Sequence, residues 1–310
     1  MGWISKTTKR RSGASHAAAL AAMLAAGVAL APAAARAETG TLDKIRETKT
    51  IVLGVQESSI PFSFLDGDQK VVGYSIDLCN GIVDALKAEL SLPDLKVEMV
   101  PVTSATRIPL IVNGTIDIQC GSTTNNAERR QQVDFSYPFF FAAAKVMVPV
   151  AGGVADVAGL KGKTVVATAG GTPQRVIKQV SDERGLDLKL LTSKDHAEGF
   201  LMVETNRADA VANDDALLYG LRANARNPQD FTVLSEPLST EPYGLILRKD
   251  DPAFREAVNK ALTAMYADGR AEASYTKWFM QPIPPRGANL EMPLSDALKQ
   301  TYADPQDVQN

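Results

Sequence analysis

The sequence predicts an α/β fold made of two layered units with a cleft between them. Short apolar runs such as residues 51–55 and 116–120 alternate with segments of helical periodicity, which favours mainly parallel sheets covered by helices. The alternation starts again after residue 150, and the elements after about residue 235 are too few for a third unit. They therefore return to the first sheet, and the two crossings of the chain predict a hinge beside a ligand cleft.

The elements of the first unit follow from local periodicity and turn residues. Apolar residues recur at helical spacing over 74–90, which predicts an amphipathic helix after the buried strand 51–55. Residues 96–102 form the next strand. A serine suited to capping and an Asn-Gly turn delimit a helix within 104–115, which leads to the strand 116–120.

The second unit repeats this order of strands and helices, and its first helix has two glycines at its start. Its elements are predicted as a strand over 163–168, a helix over 169–185, a strand over 186–191, a helix over 196–208 and a strand over 209–214. A strand over 243–248 and a helix over 251–269 then return to the first sheet.

The first 37 residues differ from the rest of the chain. A basic stretch, an alanine-rich apolar stretch and the small residues of "AARA" follow one another, which is typical of a secretory signal peptide cut after Ala37. An uncleaved N-terminal anchor is the alternative, which the short apolar region disfavours. The sequence therefore predicts an exported protein of the periplasm.

Charge argues against one class of partner. Residues 1–37 hold five basic residues and no acid, so their removal lowers the net charge from −3 to −8. An acidic surface does not suit nonspecific binding of nucleic acid. Any anionic ligand must then be attracted locally, by individual arginines.

Cys79 and Cys120 are the two cysteines of the chain and lie 41 residues apart. An even number of cysteines in an exported chain permits a disulfide, and two buried thiols are the alternative. The short-spaced ligand pairs of a zinc site are missing, so we expect no metal site.

Sequence motifs of common enzymes are missing from the chain after residue 37. The segment 159–164 ("GLKGKT") resembles a phosphate loop, but Val157 stands where that motif needs glycine. His196 is the sole histidine of this part of the chain, and no activated serine stands out as its partner in a triad. We therefore expect neither catalysis nor a cofactor.

Residues 121–140, "GSTTNNAERRQQVDFSYPFF", resemble the type II periplasmic solute-binding proteins of ABC amino-acid importers. Similar stretches, including "TLDKIRETKTIVLGVQESSIPFSFLD", "EPYGLILRKDDPAF" and "KWFMQPIPP", run from about Thr41 to Pro285. The resemblance is strongest to the members that bind glutamate and aspartate. It implies a monomer that closes over a free amino acid and presents it to a membrane permease with a cytoplasmic ATPase.

This resemblance also implies the domain organisation. Lobe 1 comprises residues 38–143 and 237–310, and lobe 2 comprises residues 144–236. Each lobe has a mixed sheet flanked by helices, and the chain crosses between the lobes twice.

Five residues are expected, by the resemblance, to hold the head group of the amino acid. Arg129 grips the α-carboxylate, because its planar fork can donate two parallel hydrogen bonds. Ser122 and Thr124 add hydroxyl or backbone donors, and Thr172 adds N–H donors where a helix begins. Asp214 takes the α-ammonium group.

The side-chain pocket implied by the resemblance contains Ser104, Arg107 and His196, with Gln56 where glutamate-binding members typically carry arginine. Gln56 can donate a hydrogen bond but brings no charge, so glutamine, asparagine or another polar amino acid is the alternative ligand. An alternative of another class is a periplasmic dehydratase of cyclohexadienyl acids, for which Glu57 is the candidate general acid.

Overall fold

The computed structural model describes residues 40–308. The predicted signal peptide, residues 1–37, and its predicted cleavage site therefore lie outside the described residues. Within residues 40–308 no helix combines the length and the apolar character needed to cross a membrane.

The strands in this part of the chain are short, apart from one long strand in its middle. They are β1 (Thr50–Val55), β2 (Ser58–Ser59), β3 (Ser63–Leu65), β4 (Val71–Val72), β5 (Lys96–Pro101), β6 (Ile118–Cys120), β7 (Val133–Phe135), β8 (Phe140–Pro149), β9 (Thr164–Thr168), β10 (Lys189–Ser193), β11 (Ala210–Asp214), β12 (Phe231–Val233), β13 (Ser239–Tyr243) and β14 (Ile246–Arg248).

The α-helices include two of 16 residues, which are the second and the eighth in chain order. The helices are α1 (Thr41–Thr48), α2 (Tyr74–Glu89), α3 (Arg107–Val112), α4 (Ala127–Arg130), α5 (Thr172–Arg184), α6 (His196–Glu204), α7 (Asp215–Ala223), α8 (Pro252–Ala267), α9 (Arg270–Phe279) and α10 (Asp296–Ala303). Short 3₁₀ turns cover Val150–Gly152, Ala158–Leu160 and Pro228–Asp230.

The first sheet has the order β5-β1-β6-β14-β7. Its strands β5, β1 and β6 are parallel, as the alternation of strands and helices predicts. Strand β14 joins this sheet from the far end of the chain and runs antiparallel to β6 and β7. The predicted return to the first sheet is thus confirmed, while the expectation of a mainly parallel sheet holds only for one half of it.

The second sheet has the order β10-β9-β11-β8-β12, and β13 also pairs with β8. Strands β10, β9 and β11 are parallel, whereas β8 runs antiparallel to β11, β12 and β13. A small antiparallel sheet of β2, β3 and β4 follows β1.

Two adjacent strands carry the chain between the sheets. Strand β8 enters the second sheet soon after β7, and β13 returns to β14 in the first sheet. They pair side by side, with Phe140 opposite Tyr243 and Ala144 opposite Ser239. The two crossings are therefore neighbours, as a hinge requires. The residue boundaries of the two lobes stay a prediction.

Several element boundaries differ from the prediction for local reasons. The strand predicted over 186–191 lies at Lys189–Ser193, because Asp187 takes a left-handed φ of 51° and turns the chain. The helix predicted to end at residue 208 stops at Glu204, and Asn206 takes a φ of 57°. The strand predicted over 243–248 is split between the two sheets. Helices α1, α4, α7, α9 and α10 have no counterpart among the elements predicted from the sequence.

The packing follows the sheets. A large aromatic and aliphatic cluster joins α2, α8 and α9 to one face of the first sheet, with Phe62, Tyr74 and Phe279 fully buried in it. Two further clusters cover the faces of the second sheet. A disulfide links Cys79 in α2 to Cys120 at the end of β6, with Cα atoms 6.2 Å apart. It fixes the end of β6 just before the polar segment that follows.

Candidate ligand-binding site

The polar segment between β6 and α4 is buried, although its residues are short and hydrophilic. Ser122, Thr123 and Thr124 are each at most 5% exposed. The segment is tied to the second crossing, because Asn125 N donates to Pro242 O at 2.8 Å and Gly244 N donates to Thr123 O at 3.0 Å. Its hydroxyls are therefore held in place beside the crossing strands.

Arg129 is placed by the short helix that follows this segment. Helix α4 begins after Asn126, whose side chain accepts a hydrogen bond from Arg129 N at 2.9 Å. The guanidinium is buried and donates from Nη1 to Thr124 O and from Nη2 to Gly170 O, both at 2.9 Å. Burial lowers the pKa of Arg129, and the negative charge of Asp214 opposes that shift.

Arg107 lies at the start of α3 and is 2% exposed. Its Nη1 donates to Ser122 O at 3.2 Å, and its Nη2 reaches Gly170 O at 3.5 Å. Its Nε has no hydrogen-bond partner among the described residues. Burial, followed by the charge of Arg129, holds the pKa of Arg107 well below its ordinary value. The two arginines thus form a buried pair that an anion would stabilise.

Gly170, which follows β9 of the second sheet, lies against the two buried arginines. Its carbonyl accepts hydrogen bonds from both arginines, and its φ of +75° lies in the left-handed region. A Cβ at this position would lie 2.7 Å from Ser104 O, so the two chain segments can approach this closely only with glycine. Two residues later, Thr172 begins α5 and donates from Oγ1 to Thr124 Oγ1 at 3.1 Å.

His196 is the first residue of α6 and is 4% exposed. Its Nδ1 lies 2.9 Å from Thr168 Oγ1 and 3.0 Å from Asn213 Nδ2. The amide nitrogen of Asn213 can only donate, so Nδ1 accepts and the ring proton is on Nε2. Nε2 has no partner among the described side chains. Burial and the charge of Arg107 lower the pKa of His196 to about 4, so the ring is a neutral donor at pH 7.

Asp214 ends β11 and is 4% exposed. Tyr243 donates its hydroxyl to Oδ2 of this carboxylate, while Oδ1 has no partner within the described part of the chain. Burial and then the buried Glu241 raise the pKa of Asp214 to about 7, against the opposing effect of the Tyr243 hydrogen bond. The site therefore contains one acceptor oxygen that is suited to a cation.

Gln56 follows β1 and faces the side-chain end of the site. Its Nε2 lies 3.4 Å from Ser104 Oγ, and its Oε1 accepts from Ser122 N at 3.1 Å. Gln56 and Ser104 line a small cavity of about 60 Å³ together with His196 and Glu57. Glu57 itself is exposed.

The nine predicted ligand-binding residues are all buried, and hydrogen bonds or shared cavities connect many of them. The predictions missed Tyr243, Gly170 and Gln119. Tyr243 is 29 residues from Asp214 in sequence, so no local pattern reveals their contact. Gln119 is a polar residue inside the apolar run "IDIQC", and that position could have drawn attention to it.

The chain has two mixed sheets joined by paired crossing strands, and buried polar groups from both sheets meet at one site. These features define a type II periplasmic binding protein. The chain belongs to the bacterial extracellular solute-binding proteins, family 3, whose family model matches residues 51–281. Its curated relatives are named as binding proteins, which supports solute binding rather than catalysis.

Individual relatives agree with this assignment. The chain is 48% identical to an L-glutamate/L-aspartate-binding protein of Pseudomonas aeruginosa, over 93% of this chain and 96% of that protein. It is 44% identical to a glutamate/aspartate import solute-binding protein of Escherichia coli, over 93% and 95% of the two chains. The solved structure of an ancestral arginine-binding protein bound to glutamine is 32% identical, with a TM-score of 0.67 and coverage of 74% and 98%. The predicted family and fold class are confirmed.

Proposed function

We propose that this protein binds an acidic amino acid, glutamate or aspartate, and delivers it to the membrane permease of an ABC importer. One observation carries the proposal: buried groups without partners have the polarity that such a ligand needs. Arg107 Nε and His196 Nε2 are unpaired donors, and Asp214 Oδ1 is an unpaired acceptor, among the described residues. The relatives that are named for glutamate and aspartate support the same choice.

The α-carboxylate is assigned to Arg129, Ser122, Thr124 and Thr172. A guanidinium has five N–H donors, so Arg129 can keep its two bonds to backbone carbonyls and still donate to a carboxylate. The N-terminus of α5, where Thr172 lies, adds the positive end of a 13-residue helix. These groups recognise the head group common to all amino acids.

The α-ammonium is assigned to Asp214. Its Oδ2 is held by Tyr243, which leaves Oδ1 for the cation. A buried carboxylate without a cation is costly, and an ammonium group removes that cost by favouring the ionised form.

The distal carboxylate of the ligand is assigned to Arg107, with neutral donors from His196, Ser104 and Gln56. His196, Ser104 and Gln56 line one small cavity, and the pKa of His196 is lowered by burial and then by the charge of Arg107. Charge-assisted hydrogen bonds are stronger than neutral ones, so Arg107 contributes most to the preference for an acidic side chain.

Ligand binding should favour the closed arrangement of the two proposed lobes, residues 38–143 with 237–310 and residues 144–236. The arginines come from segments attached to the first sheet, whereas Asp214 and Thr172 belong to the second. A ligand that contacts both sets binds the closed form more tightly and so shifts the equilibrium toward it.

The proposal also includes the location of the protein in the cell and its partner. The protein would be exported by the signal peptide of residues 1–37 and act in the periplasm as a monomer. Its partner would be a permease driven by a cytoplasmic ATPase.

A second candidate ligand is an amino acid with an amide side chain, glutamine or asparagine. The observation in its favour is that Gln56 and Ser104 place neutral groups, rather than a second arginine, at the side-chain end.

Isothermal titration calorimetry of the purified protein with glutamate, aspartate, glutamine and asparagine tests the proposal. We expect the two acidic amino acids to bind at least about tenfold more tightly than their amides, since one charge-assisted bond separates them. Tighter binding of the amides would favour the second candidate. Absence of binding to all four would contradict both, and a thermal-shift screen of the other amino acids would then identify the ligand class.

A further inference from the structure

Two buried glutamine side chains meet beside the ligand site. Gln119 is fully buried in β6, and Gln56 follows β1, the parallel neighbour of β6 in the first sheet. A Cβ built on Gly121 would lie 2.3 Å from Gln119 Nε2 and 2.3 Å from Gln56 Oε1. The two amide atoms are therefore at most twice that distance apart, and the missing side chain of Gly121 leaves the space between them open.

A hydrogen bond from the backbone fixes which end of the Gln56 amide is the acceptor. Ser122 N donates to one end of Gln56 at 3.1 Å, and a backbone N–H can only donate, so that end is Oε1. Ser122 Oγ lies 3.4 Å from the same oxygen. Thr123 Oγ1 donates to Gln119 Oε1 at 2.8 Å, which turns Nε2 of Gln119 toward Gln56.

Gln119 Nε2 is the unusual member of this group. It has no hydrogen-bond partner among the described residues, although the side chain is 0% exposed. Buried donors without partners are rare in folded proteins, because burial removes their hydrogen bonds to water. The opposite orientation of the amide would place two acceptor oxygens against each other, so the donor is turned toward Gln56 for an electrostatic reason.

The proposed function gives this donor a use. It assigns Ser122 to the ligand carboxylate as a backbone or hydroxyl donor, yet Gln56 Oε1 accepts from both of these groups. A ligand that takes these donors leaves Gln56 Oε1 without them. Gln119 Nε2 is then the neighbouring buried donor that can replace them.

We propose that Gln119 is a positioning residue. When a ligand carboxylate binds and takes the donors of Ser122, Gln119 Nε2 donates to Gln56 Oε1 in their place. This inference rests on the proposed function. Gln119 would then strengthen binding without touching the ligand, and Gly121 would keep the path between the two amides open. We call this exchange the amide relay.

Crystal structures of the wild-type protein with and without glutamate test the amide relay directly. In the bound structure we expect Gln119 Nε2 within hydrogen-bond distance of Gln56 Oε1, and Ser122 N donating to the ligand. A bound structure in which Ser122 N still donates to Gln56 Oε1 would overturn the proposal. This test needs no substitution and so does not depend on how a variant folds.

A double-mutant cycle tests whether Gln119 acts through Gln56. Gln119→Met keeps the length of the side chain and removes the donor, and we expect glutamate binding to weaken by about threefold to tenfold. In the background of Gln56→Met the same change should alter the affinity by less than about twofold. Equal losses in both backgrounds, or no loss in either, would overturn the amide relay.

The wild-type titration separates this inference from the proposed function. Wild-type protein that binds glutamate but shows no coupling between Gln56 and Gln119 contradicts the amide relay alone. Wild-type protein that binds neither glutamate nor aspartate contradicts the proposed function, and the relay with it.

Discussion

Tyr243 donates a hydrogen bond to Oδ2 of Asp214, while Oδ1 of the same carboxylate has no partner within residues 40–308. The phenol thus fixes the orientation of the carboxylate and leaves one oxygen for a ligand. Because burial raises the pKa of Asp214 to about 7, the ligand-free carboxyl group changes its charge within the physiological range. If Asp214 holds the ammonium group as proposed, amino-acid binding should therefore depend on pH.

The first prediction concerns protons released on binding. At pH 6 the carboxyl group of Asp214 is mostly protonated in the ligand-free protein, and the ammonium group of the ligand favours the ionised form. Glutamate binding should therefore release about one proton at pH 6 and much less at pH 8, and affinity should fall by about tenfold per unit below pH 7. Calorimetry at pH 6 in buffers of different ionisation enthalpy measures the number released.

His196 should not contribute to this proton release, because its pKa is lowered to about 4 and the ring is neutral at both pH values. A binding enthalpy at pH 6 that is independent of the buffer would contradict the assignment of the ammonium group to Asp214.

The second prediction concerns stability without ligand. The pKa of Asp214 is raised from 3.8 to about 7, so its contribution to stability is present below pH 3.8 and is lost as the pH rises through 7. The pKa of His196 is lowered from 6.5 to about 4, so its contribution is present above pH 6.5 and is lost as the pH falls through 4. The two contributions oppose each other between pH 4 and 6.5.

Asp214→Asn should remove the contribution of Asp214 to the pH dependence of stability and leave that of His196. The free energy of unfolding should then rise with pH between 4.5 and 6.5 more steeply than in the wild type, by about 1 kcal/mol per pH unit. Urea unfolding at several pH values measures the slope, and Asp68→Asn, at an exposed position, is the matched control. Equal slopes in wild type and Asp214→Asn would show that Asp214 titrates normally.

The third prediction separates the two buried arginines. Arg129→Lys keeps a cation but loses the planar fork, so affinity for every amino acid should fall by at least about a hundredfold, as expected for a buried charge-assisted pair. Arg130→Lys, in the same helix, should change affinity by less than about threefold. If Arg129→Lys weakened only the acidic ligands, its role and that of Arg107 would have to be exchanged.

Much of the fold could be predicted from the sequence, because apolar periodicity and glycine turns are local signals. The antiparallel entry of β14 and β8 could not, since a strand's direction in a sheet depends on where the chain returns. The strand predicted to begin at residue 186 begins only at Lys189, because Asp187 makes a left-handed turn that few residue types signal.

Some features of the candidate site could also be predicted from the sequence, and others could not. Residue types such as arginine and aspartate could be assigned from the resemblance, and each proved to be buried. The proton position on His196 could not, because it depends on Thr168 and Asn213, which are distant in sequence. The unpaired amide of Gln119 likewise depends on the close approach of β1 and β6.

The fourth prediction tests the neutral group at position 56. Gln56→Arg adds a cation beside the cavity that Ser104 and His196 line, so it should raise the preference for glutamate over glutamine by about tenfold or more. Gln56→Met removes the amide without adding charge and should leave this ratio within about threefold of the wild type. Calorimetric titration of both ligands gives the ratio, and an unchanged ratio in Gln56→Arg would remove this residue from the side-chain pocket.

The fifth prediction concerns the disulfide between Cys79 and Cys120, which ties α2 to the end of β6. Replacement of both cysteines by alanine should lower the free energy of unfolding by about 2–4 kcal/mol, because the unfolded chain regains the freedom of a 41-residue loop. Reduced wild-type protein retains both sulfur atoms, so its loss of stability relative to the oxidised protein isolates the effect of the cross-link. Thiol titration of the unfolded, unreduced protein should find no free thiol, and two thiols per chain would contradict the bridge. Loss of the bridge should also weaken glutamate binding, since Gly121 and Ser122 directly follow the anchored end of β6.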